Sequence, residues 1–161
     1  MNYRRPCILI ALLILICSSS YATLISFAFV ETGVSSGVPS TQHSSVWEGG
    51  MMEVFFDAGY IVTNSPAGRL EIKPEQILSG SILSDFEEAI MGGAEFFVLG
   101  LFECQVESGR ATPININMKI FSTITNEMIF DHIFPIDSGR TLAQEFEFAK
   151  DVGRIILNQL N

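Results

Sequence analysis

The sequence predicts an α/β (α+β) domain: a mixed five-stranded sheet, in the order β-α-β-α-β-β-β-α, with helices packed on it. Three observations lead there. Residues 23–30 and 95–104 are nearly unbroken apolar runs rich in branched and aromatic side chains, the composition of strands covered on both faces. Stretches of helical period separate the early strands, which favours parallel pairing, whereas short links join the last three and favour antiparallel pairing. Strict alternation over residues 114–121 marks a strand exposed on one face.

Residues 23–30 (TLISFAFV) form the first and central strand. Residues 31–43 follow as a loop of Gly, Ser, Thr and Pro, long for a strand-to-helix link and of the kind that carries function. Ser45 with Glu48 makes a capping box, and Trp47, Met51, Val54, Phe55 and Ala58 recur at helical spacing, which predicts a first helix over 46–58. Gly49 and Gly50 cost that helix about 1 kcal/mol each relative to Ala, and point to a close backbone approach or a frayed first turn. Gly59 stops it in the left-handed conformation. Residues 60–63 (YIVT) predict a short second strand, closed by Asn64, Ser65 and Pro66. The pattern over 67–80 is mixed, with Pro74 placed to start a single helical turn. Ser84 with Glu87 repeats the capping box, Phe86, Ala89 and Ile90 supply the buried side of a second helix, and Gly92 and Gly93 end it.

The third strand, 95–104, leads through a turn at 107–112 into the fourth, where Ile114, Ile116, Met118 and Ile120 alternate with Asn115, Asn117, Lys119 and Phe121. Thr125 and Asn126 connect it tightly to a fifth strand over 127–134, with Met128, Phe130, His132 and Phe134 on one face. Thr141 with Gln144 caps a last helix, striped by Leu142, Phe146, Ala149, Gly153, Ile156 and Leu160.

With 161 residues, 48% of them apolar, and a mean hydropathy of +0.36, the chain is too hydrophobic for intrinsic disorder. The formal charge, 9 − 18 = −9, repels nucleic acid and anionic headgroups, so no nucleic-acid partner is expected. Arg4 and Arg5 precede an apolar run from Cys7 to Cys17, and Ser18, Ser19, Ser20, Tyr21 and Ala22 follow it, the three-part layout of an export signal cleaved after Ala22. The run holds 11 residues, against roughly 20 for a membrane-spanning helix. The alternatives are an uncleaved anchor continuing through residues 24–30, and acylation of Cys17, which Ile16 before it disfavours. The expected layout is thus an export signal over 1–22 and a single domain over 23–161, exported to the periplasm. Membrane contact is expected only if the signal is retained or Cys17 is acylated. Removing residues 1–22 leaves 7 bases against 18 acids, net −11, and leaves Cys104 as the one cysteine, with no internal disulfide to make. Cys104 lies in an apolar stretch and reads as a buried, inert thiol.

No constellation of residues carries a catalytic signature, and neither catalytic, cofactor nor metal residues are assigned. His43 in the loop and His132 in the last strand have no His partner at ligand spacing, and Asp131 points to the opposite face from His132. Ser35, Ser36, Ser40, Ser44 and Ser45 read as loop and cap residues, without the Gly-x-Ser-x-Gly elbow of a nucleophile. Glu87 with Glu88 and Glu145 with Glu147 sit at spacings that do not face each other on a helix, and read as solvated faces. The segment 33–37 lies between strand and helix, where phosphate loops sit, yet lacks their Lys and glycine spacing. Phe96, Phe97, Phe102, Phe130 and Phe134 read as core.

The segments MMEVFFDAGYIVTN (51–64), GGAEFFVLGLFE (92–103) and NINMKIFSTITNEMIFD (115–131), behind an export signal, resemble the small α/β domains of bacterial envelope proteins, the group of the TolB N-terminal domain, CsgG, LpoB and the FlgT middle domain. The first strand lacks the Pro that often closes it in that group. The resemblance implies a noncatalytic domain that docks onto another envelope protein or self-associates, without cofactor. The second expectation is a small-ligand-binding periplasmic domain using the crevice at the carboxyl ends of the first strands, and the third an exported hydrolase.

Overall fold

Branched and aromatic side chains alternate along β1 (Leu24–Thr32) so that both faces are greasy, and eight of its nine positions are buried. Ile25, Phe27 and Phe29 enter one core, Ala28 and Val30 the other. A computed structural model describes residues 22–34, 41–65, 68–70, 81–137 and 139–160. After β1 it runs α1 (His43–Asp57), β2 (Ile61–Asn64), β3 (Gly68–Leu70), α2 (Ser81–Met91), β4 (Phe96–Glu107), β5 (Arg110–Ser122), β6 (Glu127–Pro135) and α3 (Leu142–Leu160).

The sheet is mixed, in the order β2-β1-β4-β5-β6. β2 and β4 flank β1 in parallel, and β5 and β6 add antiparallel hairpins. Among the described residues it is five strands wide, as the sequence suggests, and the stretch after Asn64 adds the short β3 to one edge. β2 pairs with residues 24–27 of β1 and β3 with residues 30–32, so the two lie in line on one edge and the sheet is still five positions wide. Pro66 falls between them, with no N–H to give to a continuous ladder.

α1 and α3 cover one face around Trp47, Met51, Phe55, Val98, Phe102, Ile116, Met118, Val152 and Ile156. α2 packs on the other through Ile82, Phe86 and Ala89 against Phe97 and Phe121. α1 and α3 run parallel and touch through small residues. A Cβ on Gly50 would lie 2.8 Å from the Phe146 carbonyl oxygen, and one on Gly153 3.3 Å from the Cβ of Val54. Of the two readings of Gly49 and Gly50, close approach therefore holds for Gly50.

Of the three capping boxes, only the last forms. Gln144 accepts from the Thr141 amide at 2.9 Å, and Thr141 Oγ1 accepts from the Gln144 amide at 3.3 Å. α1 starts at His43, not Val46, so Ser45 lies inside it and donates to the Gln42 carbonyl. α2 starts at Ser81, so Ser84 is likewise interior. Burial of Ile82 in the second core rewards the earlier start, while Ile90, expected inside, is exposed. Both glycine stops form as expected. Tyr60 N–H reaches Phe55 O and Gly59 N–H reaches Phe56 O, and Ala94 and Gly93 repeat the pattern onto Ala89 and Ile90. The Tyr60 ring meets Phe55 edge-on, the apolar contact that accompanies this motif.

The β4–β5 turn is narrower than the expected 107–112. Ser108 and Gly109, both at positive φ (51° and 77°), make a two-residue hairpin turn. In the next hairpin Ile120 pairs with Phe130 and Phe121 with Met128, leaving Ile129 as an extra residue. That bulge turns Met128 away from the face shared by Phe130, His132 and Phe134, so the expected four-residue face has three members.

Candidate functional site

In an open α/β sheet, ligands gather outside the carboxyl ends of the parallel strands. Here that end is formed by the last residues of β1, the start of α1 and the start of α3, and it contains two buried carboxylates. Glu31, in the expected loop by sequence, is a β1 residue and 2% exposed. Its Oε1 accepts from the Thr41 amide at 2.9 Å, from Thr41 Oγ1 at 2.6 Å and from Ser44 Oγ at 3.3 Å. The side chain supplies from a distant strand the anchor that the α1 N-terminus lacks locally, since Gln42 makes no side-chain cap. A carboxylate there also meets the positive end of the helix. Next to it on β1, Thr32 Oγ1 donates to the Phe102 carbonyl at 2.9 Å.

Glu145 is fully buried, which corrects its reading as part of a solvated face. Its Oε2 accepts from Trp47 Nε1 at 2.8 Å, and its Oε1 lies 3.5 Å from the Arg140 guanidinium. Arg140 in turn covers the Phe148 ring at 4.0 Å, and Trp47 meets Phe148 and Phe102 edge-on. The buried stripe of α3 is Glu145, Ala149, Val152, Gly153 and Ile156, turned from the expected one so that Leu142 is exposed. The signal in the sequence is the indole: a buried Trp needs an acceptor for its N–H.

The remaining candidates stay apart. His43 opens α1 rather than sitting in the loop. His132 is exposed and meets the Phe134 ring edge-on at 4.6 Å, while Asp131, on the opposite face as expected, pairs with Lys119. Ser44 is buried on Glu31; Ser35, Ser36, Ser40 and Gly37 lie outside the described residues. Gly33 takes φ +79° with its α-carbon against the Cys104 carbonyl, a packing role. Cys104 is buried in β4, and Phe97, Phe102 and Phe134 are core, with Phe96 and Phe130 packed against it. Glu147 and Glu87 are exposed. Among the described residues, no three His, Cys, Asp or Glu side chains gather where a metal could be held.

Among the described residues, clefts open at two places on the α2 side. One, of about 90 Å³, lies at the carboxyl ends between Thr32, Leu101, Glu103, Asn115, Asn117 and Ile133. The other, of about 180 Å³, separates α2 from β2 and is lined by Ser26, Thr63, Ser65 and Glu88 among others. Both fall below the roughly 300 Å³ at which small-ligand pockets begin. Beside the larger cleft, Asp85 has its pKa raised by burial and then by the Glu88 charge, a Ser65 hydrogen bond opposing both. This acid pair, three apart on α2, faces across one helical turn, a relation legible from spacing but missed beside the Glu87–Glu88 doublet. Across the sheet, burial raises Glu48 against the lowering effect of the Asn64 amide.

No family model matches the chain, and no curated protein does. Among solved structures, the chain is similar to TolB from Acinetobacter baumannii (TM-score 0.46, 14% identity, 87% of this chain and 28% of that one), so it spans little more than a quarter of TolB. It is also similar to PelC from Paraburkholderia phytofirmans (0.48, 10%, 86% and 87%) and to the LpoB C-terminal domain from Salmonella enterica (0.45, 11%, 81% and 93%).

Proposed function

We propose that the chain is an exported, noncatalytic binding or assembly module of a bacterial cell envelope, which docks onto another envelope protein. The observation that carries this reading is the use made of the carboxyl ends of the parallel strands. Glu31 is held by Thr41 and Ser44, and Glu145 by Trp47 and Arg140, so the polar groups at the usual ligand position fasten loop, α1 and α3 together. Such groups serve architecture and leave recognition to the surface.

The surface that supports docking is β6. It is the terminal strand of the sheet, nine residues long, with exposed Ile129 and Ile133, and an unpaired strand edge accepts a partner strand by main-chain hydrogen bonds. The export layout of residues 1–22 supports the compartment.

Two measurements test the reading. The intact mass of the protein from fractionated cells is expected to show an envelope form beginning at Thr23 or acylated at Cys17; a full-length cytosolic form sinks the export reading. A photo-crosslinking residue at Ile129 or Ile133 is expected to give discrete adducts in the living envelope, and one at Asp151 on α3 none. Absence of adducts on β6 would count against docking through that edge.

A further inference from the structure

Among the described residues, exposed apolar side chains occur on several faces, but the most exposed of them lie at one end of the sheet. Three exceed two-thirds exposure: Met91 at 79%, Ile124 at 75% and Phe56 at 68%. They come from three separate connections, the end of α2, the β5–β6 turn and the last turn of α1. Strand register brings the three together. Ile61 pairs with Leu24, Ile25 with Phe96, Phe96 with Ser122 and Ser122 with Glu127, one row across the sheet. Helices α1 and α2 finish just before that row, and Ile124 lies just beyond it. Ile61, Ile90 and Met128 extend the same rim. At about 4.8 Å per strand the row is about 20 Å wide.

The described fold begins in this row, at Ala22 and β1, so residues 1–21 with their apolar run from Cys7 to Cys17 join the domain at the same end. The rim has little positive charge. α1, α2 and α3 have no basic residue in the last turn, all three finish here because α3 runs parallel to α1, and Asp57, Glu95 and Glu127 lie nearby. Helix carbonyl ends and these acids make it electronegative.

We infer that this end of the domain rests on a bilayer of zwitterionic lipid, with Phe56, Met91 and Ile124 dipping into the interfacial layer. Isolated tips on three connections suit a fluid surface, which closes around each one, whereas a folded partner would need three matching pockets. The electronegative rim selects zwitterionic over anionic headgroups. The inference does not depend on which protein docks at β6; it concerns the form that keeps residues 1–21, which a form beginning at Thr23 lacks, and the experiment below tests it on that form whether or not the chain is exported.

The full chain, with Cys7→Ser and Cys17→Ser and the buried Cys104 kept, is reconstituted through its N-terminal segment into phosphatidylcholine vesicles. It carries a single environment-sensitive fluorophore on a cysteine replacing Met91, Ile124 or, at the far end of the β4–β5 hairpin, Ser108. A nitroxide on the upper acyl chain is expected to quench the labels at 91 and 124 at least twofold more than the label at 108. Equal quenching at the three sites, or stronger quenching at 108, overturns the inference. The variant F56D/M91D/I124D, labelled at Met128→Cys and shown by circular dichroism to be folded, is expected to lose that quenching by twofold or more; unchanged quenching overturns the role of the tips. Quenching in phosphatidylglycerol vesicles as strong as in phosphatidylcholine overturns the lipid preference. Cross-linking between copies through these tips, without lipid quenching, would assign the end to self-association instead.

Discussion

Gly49 and Gly50 are neighbours in α1 with the same helical propensity, yet the same substitution is expected to move stability in opposite directions. A Cβ on Gly49 meets only the Phe146 ring edge at 3.5 Å, an ordinary contact, so Gly49→Ala is expected to stabilise by about 1 kcal/mol. On Gly50 it meets the Phe146 carbonyl at 2.8 Å and the Ala149 Cβ at 3.0 Å, both tied to α3. Gly50→Ala must push the helices apart and is expected to lose about 1–3 kcal/mol despite the propensity gain. Urea unfolding of the two variants reads the signs directly. The buried acid gives a second residue-scale test. Glu145→Ala leaves the Trp47 indole N–H without its acceptor and opens space beside it, for an expected loss of about 2–3 kcal/mol. Glu145→Gln keeps an acceptor and should lose less. In a double-mutant cycle with Trp47→Phe, a coupling near zero would show that the hydrogen bond contributes nothing.

At the scale of elements, the three S/T-x-x-E/Q boxes look alike in sequence, and the structure assigns them different fates. Thr141→Ala is expected to cost about 1 kcal/mol, because its hydroxyl accepts from the Gln144 amide at the start of α3. Ser84→Ala should be neutral or slightly stabilising, because Ser84 is interior to α2 and Ala is the better helix former there. Equal losses from both, by thermal unfolding, would mean that α2 begins at Ser84 after all. The reason the boxes mislead marks the limit of local reading. Where a helix start is decided by neighbouring residues, as at Thr141, and where a helix stop needs a left-handed glycine, as at Gly59 and Gly93, sequence suffices. So it does for the strands whose periodicity or apolar run is long, and for the parallel-then-antiparallel order. It fails where a distant residue decides. Glu31 anchors the start of α1 from β1, ten positions earlier in the chain, Ile82 draws α2 back by one turn, and Glu145 is inside because of an indole on another helix. β3 escaped because three residues carry no periodicity.

Across the whole molecule, the acids set how stability responds to pH. Glu48 and Asp85 are both held above the usual carboxylate range, Glu48 by burial against the Asn64 hydrogen bond, Asp85 by burial and Glu88 against the Ser65 bond. In the unfolded chain both return to ordinary values. Between the ordinary and the raised value the native state holds more protons than the unfolded one, so the protein is most stable, with respect to these groups, below the ordinary value, and loses stability as pH rises through the window. The double variant Glu48→Gln/Asp85→Asn should therefore match its parent near the acid end and become more stable than it at neutral pH. Both sites are only half-buried, so solvent screening holds the gain to under about 1 kcal/mol. The variant also changes the net charge from −9 to −7, and relief of long-range repulsion would stabilise it too. Salt separates the two causes: high ionic strength screens distant charges but leaves the local desolvation in place. A gain at neutral pH that survives 1 M salt and vanishes at acid pH assigns the effect to the two carboxyls. A gain independent of pH would place it in packing, and one abolished by salt in the overall charge.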